Sequence, residues 1–97
     1  MTRLPGQRLW SLRNEIPIRD VIRKLDVPAK EVEGYFRFLC PGCREFHTAT
    51  RAATNLAHCF RCHQNYNPID LVMTVRKTSF LEAVRYLTRY FEQYLSD

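Results

Sequence analysis

Cys40-Pro41-Gly42-Cys43, a gap from Arg44 to His58, then Cys59-Phe60-Arg61-Cys62: this stretch decides the fold, and it holds all four cysteines of the chain. Two C-x2-C pairs separated by the length of a strand, a turn and a strand place four thiolates around one tetrahedral zinc. Each pair is a tight turn that offers two sulfurs to the same ion. A redox C-x-x-C motif normally occurs once, ahead of a helix in a βαβ unit, and neither condition is met. A disulfide framework needs an oxidising compartment; no signal peptide is read ahead of the fold, and the expected location is cytoplasmic. Cys40, Cys43, Cys59 and Cys62 close the coordination sphere, so one Zn2+ is expected in a structural role, with no open position for a water nucleophile. His47, His58 and His63 are read as lying outside the site, His47 being the substitute ligand should Cys43 be displaced.

The cysteine pairs sit where strands should end. Tyr35 to Leu39 reads as an aromatic-rich strand running into Cys40, with Tyr35, Arg37 and Leu39 on one face and Phe36 and Phe38 on the other. His47 to Arg51 leans towards strand, Ala52 to Asn55 towards a turn, and Leu56 to Phe60 towards a strand that enters the second pair. One small antiparallel sheet is therefore expected, with zinc at its end. Gly42 suits the first turn for its backbone freedom, which Arg61 lacks at the equivalent place in the second.

Helices flank this unit. Ile18, Val21, Ile22 and Leu25 follow the helical period, Pro17 suits a first turn, and Pro28 marks the end. Asn67-Pro68-Ile69-Asp70 combines a cap, a first-turn proline and an acid near the positive end of the dipole, with Ile69, Val72 and Met73 buried. Ser79-Phe80-Leu81-Glu82 matches a capping box, and Phe80, Val84, Leu87, Phe91 and Tyr94 or Leu95 form a stripe expected to cover the sheet. Met1 to Asn14 has no clean period and reads as a basic arm that docks through Trp10. The fold class is thus α+β: a zinc ribbon with an N-terminal helix and two C-terminal helices.

At 97 residues, 45% hydrophobic and 26% charged, the chain is one ordinary globular domain, small enough for a metal to decide whether part of it folds. No run is apolar enough to span a membrane. The net charge of +5 is uneven: residues 1–14 carry +3 and residues 34–66 another +3, while the remaining segments carry −1 and 0. The excess therefore lies on the arm and the cysteine region, which points to an acidic partner there.

The runs Tyr35 to Pro41, His58 to Cys62, Asn67 to Met73 and Ser79 to Leu87, in this order and spacing, resemble the zinc-binding domain of bacterial DnaG-type primases over roughly Ile16 to Leu87. Residues 1–14 are read as a basic N-terminal arm, and the resemblance implies residues 15–97 as a primase-type zinc-binding domain. It also implies binding of single-stranded template DNA in replication initiation, alongside a primase polymerase domain or replicative helicase. Cellular members usually carry histidine as second ligand; this chain has Cys43, as phage primase-helicases do. Their loop after the last cysteine is commonly glycine-rich, and here it is His63-Gln64-Asn65-Tyr66. No acidic cluster suited to nucleotidyl transfer is visible, so primer synthesis is not expected from this chain alone, although it would serve as part of a primase.

Cations for phosphates and aromatic faces for bases are the ingredients of single-strand binding, and Tyr35, Arg37, Arg51 and Arg61 are the candidates, with Phe36, Phe38, Phe60 and Tyr66 as further aromatics. Strand alternation assigns Phe36 and Phe38 to the core and turns Tyr35 and Arg37 outward. Arg44 and Arg61 would also offset the charge of a zinc tetrathiolate. The alternative is a protein-interaction module in which the ribbon is scaffold and the arm or last helix docks a replication partner.

Overall fold

The structure, a computed structural model, describes residues 6–95. Pro17 caps a short helix α2 (Ile18–Lys24), whose Ile18, Val21 and Ile22 are buried as their spacing requires. It stops before Pro28, because Asp26 turns the backbone left-handed with φ 57°. Ahead of it, Gly6–Asn14 is a helix, α1, and not an irregular arm. It docks through Leu12, which is fully buried, while Trp10 is 56% exposed. Residues 1–5 of the expected arm lie outside the described residues.

Strand β1 (Ala29–Val32) was not expected, since all its residues are exposed and it shows no alternation. It pairs antiparallel with β2 (Tyr35–Phe38), Val32 opposite Tyr35. Glu33 and Gly34, with φ of 52° and 83°, make the two-residue turn whose twist suits a hairpin. Strands β3 (Thr48–Arg51), β4 (Leu56–Cys59) and β5 (Asn65–Tyr66) form a separate antiparallel sheet in that order. The expected single sheet is therefore two, joined by a side chain. The buried Thr48 hydroxyl accepts from the Phe38 amide at 2.8 Å and donates to the Phe38 carbonyl at 2.6 Å, standing in for a ladder pair.

Helices α3 (Pro68–Arg76) and α4 (Phe80–Tyr90) both begin with complete capping boxes, Asn67 with Asp70 and Ser79 with Glu82. α4 packs on α3 and α1, not across the sheet, and α3 is the helix that meets β5. Its buried stripe is Ala83, Val84 and Leu87, continued by Phe91, whereas Phe80 is 45% exposed. Phe80 is the first residue of the helix, and there it faces outward. One core runs through the molecule: Leu12, Ile22, Leu71, Val72 and Leu87 from the helices join Phe38, Ala57 and Tyr66, and it includes Cys40 and Cys59.

Candidate metal centre and nucleic-acid interface

Each cysteine pair closes a knuckle of the same design. In the first, the Cys40 amide donates to the Glu45 carbonyl at 3.0 Å; in the second, the Cys59 amide donates to the Gln64 carbonyl at 2.9 Å. The residue after the second cysteine of each pair is left-handed, Arg44 with φ 62° and His63 with φ 60°. That corrects the reading of Gly42, whose value is space. A Cβ there would stand 3.2 Å from the Tyr66 hydroxyl and 3.7 Å from Cys40 Sγ, so a side chain at this position would have to push the Tyr66 hydroxyl aside by a few tenths of an ångström.

The four sulfurs lie within 4.8 Å of one another, with Cys40 to Cys62 at 3.6 Å and Cys43 to Cys59 at 3.5 Å. A tetrahedron with Zn–S bonds of about 2.3 Å has edges of about 3.8 Å, so the cluster is already close to the size the ion sets. The donor set fits zinc chemically as well. Backbone amides of Gly42 and Cys43 point at Cys40, that of Glu45 at Cys43 and that of Gln64 at Cys62, which favours thiolates. Burial pushes the Cys40 thiol up, but these amides with Tyr66 and Cys62 outweigh it and bring it down to about 6. Burial, reinforced by its Cys59 and Cys40 neighbours, pushes the Cys62 thiol up to about 12. Four thiolates do not coexist here without a cation, and the chain holds one structural zinc on Cys40, Cys43, Cys59 and Cys62. No histidine joins the cluster among the described residues.

Zinc and protons compete for these sulfurs, and the sign of the pH dependence follows. A free cysteine keeps its proton until about pH 8.5, whereas a zinc-bound one holds none, so each thiolate released at lower pH takes up a proton. Zinc affinity, measured by competition with a chromogenic chelator, should fall steadily as pH is lowered from about 8 to about 6. An affinity flat across that range would show that the ligands are not four thiolates.

Tyr66, one of the aromatics available to bases by sequence, is 5% exposed and sits beneath the first knuckle, its hydroxyl 3.6 Å from Cys40 Sγ. Burial and then Cys40 raise its pKa, which keeps the phenol neutral. Phe36 and Phe38 are buried too, and Arg19 and Arg23 of α2 lie over the Phe36 ring.

A groove lies on the outer face of the three-stranded sheet. In the register, Ala49 pairs with His58 and His58 with Asn65, while Arg51 pairs with Leu56. These residues and Tyr35 and Phe60 line an open groove of about 530 Å3. Tyr35 is 63% and Phe60 56% exposed, and Phe60 meets His58 edge-on at 4.7 Å. His58 Nδ1 is 2.7 Å from the Asn65 side-chain oxygen. Of the sequence candidates, Tyr35 and Arg51 meet in this groove. Arg37 stands behind it, its guanidinium 5.7 Å from the Tyr35 ring and donating to the Thr48 carbonyl at 2.7 Å. Arg61 is exposed on the second knuckle, outside the groove. His58, Leu56 and Asn65 were not assigned to a nucleic-acid surface from the sequence; alternation along β4, with Ala57 and Cys59 inward, was the available signal for the first two.

The chain matches the CHC2 zinc finger family over residues 4–97 and belongs to it; this is the zinc-binding domain of DnaG-type primases. No curated protein matches it. The family's name describes a ligand set of three cysteines and one histidine, and here Cys43 fills the histidine's place with its sulfur in the cluster.

Proposed function

We propose that this zinc ribbon binds single-stranded DNA on the outer face of its three-stranded sheet, for template recognition in primase-type initiation of replication, with a separate polymerase or helicase component. The observation that carries the reading is the groove itself, which gathers the exposed rings of Tyr35 and Phe60, the half-buried His58 and Arg51 in one lining. Unstacked bases lie on such rings, whereas a duplex hides its base faces within its own stack. Arg37, Arg51 and Arg61 supply the phosphate contacts. Zinc fixes the end of β4, and with it Phe60 and Arg61 in the second knuckle.

The test is a titration of zinc-loaded protein against single-stranded and duplex DNA over a salt series. Single strands should bind more tightly, with the sheet face contributing roughly −2 to the log–log salt slope, three phosphate contacts at about −0.7 each. Arg51→Ala should flatten that slope by roughly 0.7. Tyr35→Ala and Phe60→Ala should each cost about 1–3 kcal/mol of binding with the slope unchanged. Equal affinity for duplex, or no binding at low salt, rejects the reading. A second reading, docking of a primase polymerase domain or replicative helicase on α4, draws on Phe80 and Leu81, which are 45% and 43% exposed in its first turn. It takes over if DNA binding is absent. No helix among the described residues is long and apolar enough to cross a membrane.

A further inference from the structure

Away from both sites, cations from the last turns of three helices converge on two tyrosines. Lys24 closes α2, Arg76 closes α3 and Arg89 lies in the last turn of α4. The Arg76 guanidinium is 4.8 Å from the centre of the Tyr86 ring. Lys24 Nζ is 4.5 Å from the centre of the Tyr90 ring and the Arg89 guanidinium 5.6 Å from it, and the two rings are 4.9 Å apart. All three cations are exposed, as is Arg85, one turn before Arg89. Among the described residues, none of these four is in an ion pair. Asp26 acts on Tyr86 and Glu82 on Arg85, and neither acid closes a salt bridge with a described residue.

Complementing the helix ends explains part of this arrangement, but each helix terminus carries only about half a unit of negative charge, so the cluster stays net positive. Cations lie over both rings, so what the cluster presents to a ligand is chiefly positive charge. A guanidinium stacked on a ring keeps its N–H edge outward, in the geometry that grips phosphate oxygens. Four exposed cations, none in an ion pair among the described residues, suit a polyanion. We propose that this Lys24–Arg76–Arg89 cluster is a second nucleic-acid contact, holding the phosphodiester backbone without reading bases and independently of the sheet face.

The experiment titrates the zinc-loaded full chain with oligothymidylate over a salt series, beside a Lys24→Gln/Arg76→Gln/Arg89→Gln variant. The variant should flatten the log–log slope by roughly 2, at about 0.7 for each phosphate released, while keeping the parent's thermal midpoint. If it melts early, Arg76→Gln and Arg89→Gln are read singly, each expected to remove about 0.7. Lys30→Gln, on the β1 hairpin, controls for net charge and should leave the slope in place. In a Tyr35→Ala/Phe60→Ala background binding should persist at low salt and remain sensitive to the three cations. An unchanged slope in the triple variant, an equal loss from Lys30→Gln, or complete loss of binding in that background overturns the proposal. Loss of retention on immobilised polyglutamate with an unchanged DNA slope would assign the cluster to an acidic protein surface instead.

Discussion

Removing zinc, by a strong chelator or by Cys59→Ser, should abolish the native sheet and leave only a fraction of the helical signal. Structural zinc sites are worth about 10–16 kcal/mol near neutral pH, comparable with or larger than the roughly 5–15 kcal/mol that holds a whole domain together. Little else here could replace it. β4 and β5 span four and two residues, and each enters or leaves the second knuckle. Cys40 and Cys59 belong to the same core as Leu71, Val72 and Leu87, so disorder in the knuckles propagates to the helices. What survives should be local helix in α3 and α4, because their capping boxes close within a single turn. Helices of nine and eleven residues are nevertheless marginal alone, so far-ultraviolet circular dichroism should fall by more than half. One zinc per chain by elemental analysis, with loss of near-ultraviolet signal on chelation, is the expected result. A zinc-free protein, or a fold indifferent to chelation, would contradict it.

The cysteines, the Ser79 capping box and the Asn67 cap were legible because their chemistry is local. A C-x2-C pair needs only four residues to make a knuckle, and Asn67 and Ser79 find their partners three residues on. The features that escaped are those whose cause lies elsewhere in the chain. β1 is fully exposed, so no apolar alternation marks it; a Glu33-Gly34 turn was the available cue, a variant of the acidic-residue-Gly hairpin signal. α1 buries only Ser11 and Leu12, too few residues to establish a period. The outer groove exists only once β3, β4 and β5 lie in register, which brings Arg51, His58 and Asn65 together from three strands. Phe80 shows the converse error: its spacing matches the apolar stripe, but at the start of α4 it is left 45% exposed. Arg44 and His63 carry the left-handed conformations of the knuckles without any signature of glycine or asparagine.

Asn55 is the residue whose loss should cost most after the zinc ligands, and it joins the two halves of the fold. It ends the turn between β3 and β4 with φ 54° and is 7% exposed. Its side-chain oxygen accepts from the Ile18 amide at 2.9 Å, and its amide group donates to the carbonyls of Ile16 at 2.7 Å and Arg13 at 2.8 Å. One side chain thereby satisfies the end of α1 and the start of α2, where helix termini leave backbone groups without intrahelical partners. Asn55→Ala removes all of these bonds and forces an ordinary residue into the left-handed region. Unpaired buried groups cost about 1–3 kcal/mol each and the backbone about 1–2, so with partial relaxation the loss should be about 3–5 kcal/mol. Asn55→Gly keeps the backbone free and should recover about 1 kcal/mol of that. Urea unfolding of the zinc-loaded chain measures both, and hydrogen exchange at Ile18 should quicken in each. The consequence reaches the proposed DNA face, since the same turn carries Arg51 out of β3. A loosened turn should weaken single-strand binding even though Asn55 contacts no DNA in this reading. If Asn55→Ala unfolds within about 1 kcal/mol of the parent, water has replaced the side chain and the apolar contacts of Leu12 and Ile22 hold the helices to the ribbon unaided.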